Sequence, residues 1–249
     1  MKCVVCGSED FVSNNVIWDE LAEEWGIDHL ERSYIDRQQG TQCSDCGCNI
    51  RSQALARSIM RHWHSSTKFA DFVVASKDKK VLELNECAQL SSYLKRMPGR
   101  ILAEYPEVDM HSLPYVDETF DLVVHSDTLE HVDNPVKALS ECRRVLKPGG
   151  LLAYTVPIIV GRLTRDRTGL PKSYHGAPSS NASDFLVVTE YGADAWKHVI
   201  EAGFDEVCLS TFDYPAGIAI SASRPSDQPP GNFRLGKLVS RGKKSQVFF

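Results

Sequence analysis

Two short cysteine knuckles near the N-terminus, Cys3-Val-Val-Cys6-Gly7 and Cys43-Ser-Asp-Cys46-Gly47, carry residue types and spacing suited to a soft metal. A C-x-x-C turn lets two thiolates converge on one ion, and two such turns complete a tetrahedral site. Glycine after each second cysteine permits the positive φ that these turns use. Four unrelated thiols, or a redox pair, are the competing readings; paired knuckles favour zinc. Ligation by Cys3, Cys6, Cys43 and Cys46 leaves no open coordination position, so the expected ion is structural. Cys48 competes for the second knuckle, and the sequence leaves that choice open.

A second group of residues suits nucleotide and proton chemistry. Glu83 lies in the apolar run Lys80–Leu84, and Glu104 ends the run Arg100–Glu104. Glu104 follows the first run by roughly 20 residues, the spacing at which a carboxylate meets ribose hydroxyls in dinucleotide folds. One carboxylate can accept both hydroxyls; a surface glutamate at a strand end is the plainer alternative. His125, Ser126 and Asp127 directly follow another apolar run, Leu122–Val124, and are candidate bases. His131 is a further candidate, although a histidine opening a helix is more often satisfied by backbone. Tyr174-His175-Gly176, between Pro171 and Pro178, reads as a fixed turn presenting two polar rings for substrate contact or catalysis. It sits in a long patternless segment, which in a compact domain is functional or mobile. Arg162, Arg165, Arg167 and Lys172 in that segment suit recognition of phosphate or carboxylate.

The elements that must position these groups follow an α/β pattern. Lys80–Leu84, Arg100–Glu104, Leu122–Val124 and Leu151–Val156 read as buried strands. Asn134 stands at an N-cap with Pro135 at the first helical position. Val136, Leu139, Cys142 and Leu146 then form one apolar face, and Pro148-Gly149-Gly150 is expected to end that helix before the next strand. Strand, helix, strand is the unit of a parallel sheet. Further on, Ala195, Trp196, Val199 and Ile200 give a helix ending at Gly203, followed by strands Glu206–Thr211 and Gly217–Ala222. In the N-terminal region, Trp18, Leu21, Trp25 and Leu30 suggest one helix between the knuckles, and Ile50–Trp63 another. Arg51, Arg57 and Arg61 on the latter read as a solvated face, with contact to phosphate or an acidic substrate as the alternative. Cys87, Cys142 and Cys208 read as core.

The stretch LPYVDETFDLVVHSDTLEHVDNPVKALSECRRVLKPGG, Leu113 to Gly150, resembles the central signature of class I S-adenosylmethionine-dependent methyltransferases of the type 11 kind. In that family it reads LPF-x-D-x-SFD-x-V, then LEH, then E-x-x-R-V-L-K-P-G-G. The resemblance implies a Rossmann-like sheet with helices on both faces, S-adenosyl-L-methionine as cofactor, and a cofactor edge holding Glu83, Asn85, Cys87, Glu104, Asp109, Ser126 and Asp127. Within it, Asp109 would lie beside the adenine and His131 near the methionine end. The family's E/D-x-G-x-G-x-G loop is altered here, because Asn85, Cys87 and Gln89 replace its three glycines. Asn85 tolerates a left-handed backbone better than most residues, which partly preserves the turn. The short interval between Glu104 and Asp109 implies that one βα unit is trimmed. A nucleotide dehydrogenase would need G-x-G-x-x-G at the same turn, and that is missing too.

The chain has 249 residues with 42% hydrophobic content and a net charge of −5, ordinary for a globular protein and not the basic balance of a dedicated nucleic-acid binder. No stretch approaches the roughly 20 apolar residues that cross a bilayer, and no signal pattern opens the chain, so the expected compartment is the cytoplasm. The expected organisation is a zinc-ribbon and helical module over 1–68, a methyltransferase domain over 69–223, and a flexible basic tail over 224–249. The expected function is methyl transfer to a small-molecule or sugar-type acceptor, with nucleic acid and membrane not expected as partners. Two alternatives stand: an rRNA methyltransferase with a zinc ribbon, and a non-catalytic binding protein with a degenerate cofactor loop.

Overall fold

A computed structural model describes residues 1–174 and 185–226. His175, and the tail from 227 onward, lie outside the described residues.

The chain opens with strand β1 (Phe11–Ser13), helices α1 (Asp19–Trp25) and α2 (His29–Gly40), and strand β2 (Thr41–Cys43), which pairs antiparallel with β1. Where one helix was expected there are two. Gly26 takes the left-handed C-cap of α1 with φ 58°, and Asp28 opens α2 through a reciprocal capping box with Glu31. Asx-x-x-Glu is a helix start signal, so the break is written in the sequence. Helix α3 (Ile50–His62) follows, with the Asn49 side chain accepting the Ser52 N–H at 2.9 Å, and then α4 (Phe69–Ala75).

The central sheet is built from β3 (Lys80–Leu84), β4 (Gly99–Ala103), β5 (Phe120–Ser126), β6 (Leu146–Thr155), β10 (Cys208–Phe212) and β11 (Gly217–Ser223). Its order is β10-β11-β6-β5-β3-β4, with β4, β3, β5 and β6 parallel and β11 and β10 antiparallel. Side chains alternate across it. Val81, Leu122, Val124, Leu151 and Ala153 join α3 and α4 on one face. Leu82, Leu84, Val123, Leu152 and Tyr154 join α6 (Pro135–Val145) and α7 (Lys197–Glu201) on the other. Between β3 and β4 only a 3-10 turn (Ala88–Leu90) and the short α5 (Ser91–Leu94) form, and between Ala103 and Phe120 the chain runs in turns. The sheet therefore lacks the strand and helix that a full unit would insert there.

Three boundaries differ from the sequence reading. Leu146 is the first residue of β6, paired with Phe120, so Pro148-Gly149-Gly150 bends a strand instead of separating it from the helix. The expected strand Glu206–Thr211 is shifted to Cys208–Phe212. The segment after Val156, read as patternless, contains β7 (Ile158–Ile159) and β8 (Arg165–Asp166), both paired with β9 (Thr189–Gly192). These strands are too short to leave a periodicity.

The N-terminal helices pack against this second sheet and the end of the first. Tyr34 Oη accepts the Val160 N–H at 3.1 Å, Trp25 Nε1 donates to Ser173 Oγ at 2.9 Å, and Gln38 Nε2 donates to the Ala216 carbonyl at 2.8 Å. No helix among the described residues is long and apolar enough to cross a membrane.

The E-x-x-R pair of the long signature is a clamp. Arg144 donates to the carbonyls of Leu113 (2.9 Å) and Tyr115 (2.8 Å), to Asp117 (2.6 Å) and to Glu141 (2.7 Å). Glu141 in turn accepts the Leu113 N–H at 3.0 Å. The helix thereby fixes the LPY segment that takes the place of the trimmed unit. Hydrogen bonds from Arg144, aided by the Leu113 N–H and opposed by burial, hold the Glu141 carboxyl below the usual glutamate range. A depressed folded value means the contribution is complete above the unfolded pKa of about 4.3 and disappears as pH falls through the lower folded value. In acid titrations of stability, Glu141→Gln is expected to be less stable than the parent at neutral pH, with the gap closing below about pH 4. A constant gap down to the acid limit would exclude this linkage.

Candidate functional site

The four knuckle thiols converge as a tetrahedral centre requires. The Sγ atoms of Cys3, Cys6, Cys43 and Cys46 all lie within 4.8 Å of one another, with Cys3–Cys46 and Cys6–Cys43 at 3.6 Å. Zinc–sulfur bonds of about 2.3 Å place tetrahedral sulfurs about 3.8 Å apart, so the donor set fits zinc. Gly7 and Gly47 adopt φ of 90° and 70°, and each donates its N–H to the first cysteine carbonyl of its knuckle at 2.9 Å. Cys48 is buried outside this cluster; its carbonyl accepts from Cys43 N and from Gln53 Nε2. Gln53 also donates to Cys3 Sγ at 3.2 Å and accepts the Val4 N–H at 2.9 Å, tying α3 to the first knuckle.

The second centre lies at the carboxyl ends of the parallel strands, where open α/β sheets bind ligands. Asn85 leaves β3 with φ 56°. Its Oδ1 accepts the Tyr105 N–H at 3.1 Å and its Nδ2 reaches Thr128 Oγ1 at 3.5 Å, so one side chain spans the ends of β4, β3 and β5. Glycine would supply the turn but not these ties. Cys87 is buried in the core, and its N–H donates to Glu83 Oε1 at 2.9 Å. Gln89 lies against the second cysteine knuckle, where a Cβ on Gly47 would meet its Cγ at 3.3 Å. Asn85 and Cys87 are thus anchored within the protein, whereas Gln89 is exposed. Glu83 is fully buried between the Cys87 N–H and the Arg100 guanidinium, which makes it a holder of the loop.

Glu104 is exposed at the end of β4. Asp109 accepts both the N–H and ring Nδ1 of His111 at 2.8 Å, and these bonds, the backbone one first, keep its carboxyl below the usual range. Ser126 Oγ contacts Thr155 Oγ1 at 2.8 Å and Asp127 Oδ2 at 3.3 Å. Asp127 has φ 50° and pairs with Arg51 Nη2 at 2.8 Å. Arg51 therefore departs from its expected solvated face and is buried, whereas Arg57 and Arg61 are exposed.

Beyond β5, a 3-10 turn at Leu129–His131 turns its residues in different directions. His131 Nδ1 contacts the Leu186 carbonyl at 2.9 Å, so this ring holds the returning chain. Glu130 is buried and lines a small, partly open cavity of about 40 Å³. Pro157, Ile158 and Tyr191 share its wall with Trp25, Ile35 and Gln38 of the N-terminal helices. Among the described residues, Gln38 Oε1, Arg167 Nε and Tyr191 Oη are buried there with no hydrogen-bond partner. Tyr174 is half-buried and bridges to Leu186, next to the lining residue Ser173. The arginines read as anion binders are engaged internally: Arg162 with Glu31, and Arg165 and Arg167 with Glu190. His125 stacks on Tyr154 with centroids 4.7 Å apart, and burial pushes its pKa down to about 4, so the ring is neutral.

Sequence reasoning read Arg51 as part of a solvated face and passed over Gln38 and Glu130. Glu130 lies inside the LEH element, but nothing in three consecutive residues tells which side chain faces the cavity.

Residues 64–154, less than half of the chain, match the family described as a methyltransferase domain. A probable methyltransferase, ltbC, of Aspergillus luteorubrus is 46% identical over 69 residues, covering 26% of this chain and 24% of that protein. A demethylmenaquinone methyltransferase of Clavibacter sepedonicus is 33% identical over 131 residues, half of each chain. The chain thus spans half or less of the length of these curated relatives. Among solved structures, a chain from the complex of the Haloferax volcanii Trm112 methyltransferase activator with a putative methyltransferase is 15% identical. That likeness has a TM-score of 0.40 and covers 68% of this chain and 93% of that one.

Proposed function

We propose that this protein transfers a methyl group from S-adenosylmethionine to an uncharged, hydroxyl-bearing small molecule, sugar-type acceptors included, and that the four-cysteine centre holds a structural zinc ion. The observation that carries the reading is the cavity at the carboxyl ends of β5 and β6, with Glu130 in its wall. S-adenosylmethionine, when bound, supplies an electrophilic methyl carbon activated by the adjoining sulfonium. The protein then has to align the acceptor and remove a proton from it. Asn85 shapes the loop, Glu104 faces the ribose hydroxyls, Asp109 the adenine, and Ser126 and Asp127 border the amino-acid end. Glu130 is the base, with Tyr191 and Gln38 orienting hydroxyls. Neutralisation of Arg165 and Arg167 by Glu190 favours an uncharged acceptor over a phosphorylated one. The cavity is walled by the N-terminal helices, which suits a small molecule better than an rRNA strand.

Methyl-labelled S-adenosylmethionine incubated with a small-molecule cell extract, and separately with total RNA, tests this reading. Label is expected in the low-mass fraction, and Glu130→Gln is expected to lower the rate by about 10²- to 10⁴-fold with unchanged cofactor affinity. Label confined to RNA would replace the acceptor assignment, and cofactor binding without label in either pool would favour a binding protein.

A further inference from the structure

The buried guanidinium of Arg51 keeps donors that the described fold leaves unsatisfied. Arg51 is the second residue of α3, a 13-residue helix, and its side chain is 8% exposed. A guanidinium carries five N–H donors. Nη2 donates to Asp127, but Nε and Nη1 are buried and have no partner among the described residues. Charge is balanced by Asp127; hydrogen bonding is not. Leaving buried donors unpaired is costly enough that native proteins rarely do it, which points to a missing acceptor.

Its position identifies the acceptor. The strand order β4-β3-β5 sets Glu104, Asn85 and Asp127 side by side along the ligand-binding edge. Two strand spacings of about 4.8 Å separate the outer pair, so about 10 Å lies between the ribose acid and the Arg51–Asp127 pair. A nucleoside carrying an amino acid on its 5′ carbon spans such an interval, with its carboxylate at the β5 end. The geometry points to Arg51 as the anchor of the α-carboxylate of the S-adenosylmethionine amino-acid moiety, through the donors that Asp127 does not use. This assignment rests on the methyltransferase reading and adds a residue outside the matched methyltransferase segment, one delivered by the helix that follows the second cysteine knuckle.

The test is calorimetric and needs no acceptor. S-adenosylhomocysteine and 5′-methylthioadenosine share the adenosine and the thioether, but only the first has the carboxylate. The wild-type protein is expected to bind S-adenosylhomocysteine about 10- to 100-fold more tightly, the range of a charge-assisted hydrogen bond. Arg51→Ala should bring both ligands to the same weak affinity, without changing that for 5′-methylthioadenosine, and Arg51→Lys should restore part of the difference. The wild-type comparison stands whether or not the alanine variant folds. Equal wild-type affinities, or parallel losses for both ligands in Arg51→Ala, would overturn the assignment of Arg51 while leaving the methyltransferase reading in place. Absence of binding by either ligand would overturn both.

Discussion

Chelation of the metal from the four-cysteine centre, or Cys43→Ser, is expected to abolish cooperative folding and not merely loosen the N-terminus. Cys3 and Cys43 are buried in one apolar cluster with Val81, Leu122 and Ala153 of the central sheet, so the centre is continuous with the core. Helix α3 begins two residues after Cys48 and is tied by Gln53 to the first knuckle. Without the ion, four thiolates within 4.8 Å of one another repel or must take up protons. Structural zinc contributes about 10–16 kcal/mol in isolated finger peptides, as much as the entire stability of most domains at about 5–15 kcal/mol. The expected result is one zinc per chain by elemental analysis, and a thermal transition that disappears or falls by tens of degrees when it is removed. A metal-free Cys43→Ser protein that melts like the parent would rule out this role.

The second large effect is expected from Arg144→Ala. It removes the donors to the carbonyls of Leu113 and Tyr115 and leaves Glu141, whose side chain is 11% exposed, with only the exposed Lys137 at 3.7 Å as counter-charge. Breaking such a pair by removing one partner costs about 3–5 kcal/mol when buried. Arg144 is itself partly exposed, so about 2–4 kcal/mol is expected. Urea titration should show a lower midpoint with unchanged slope, because the native surface is unaltered. Glu141→Gln should lose less, since an amide still accepts from Arg144. Equal losses for the two variants would mean that the charge, and not the network of carbonyl contacts, carries the clamp.

Much of this architecture was legible because it is local. The run Lys80–Leu84 forms β3 with those bounds, and Asn134 caps α6 by accepting the Lys137 N–H at 3.0 Å, as its place before Pro135 implied. The trimmed unit followed from the short count between Glu104 and Asp109. Asn85 occupies the left-handed region expected of a residue standing in for glycine. What stayed hidden depends on partners distant in sequence. Arg51 looks like its helical neighbours Arg57 and Arg61 until the fold sets Asp127 beside it. Arg162, Arg165 and Arg167 resemble a patch for anions until Glu31 and Glu190 arrive from other segments. The cavity is assembled from α2, the turn after β5 and the short strands β7 and β9, none of which carries a pattern for it.

The central claim is that a loop with Asn85, Cys87 and Gln89 in place of three glycines still receives the cofactor. Titration calorimetry of the zinc-loaded protein with S-adenosylhomocysteine measures this most directly. One site per chain with a dissociation constant on the order of micromolar, about −8 kcal/mol, is the expected result. No heat at millimolar ligand, from protein with full zinc content and a cooperative melt, would contradict it.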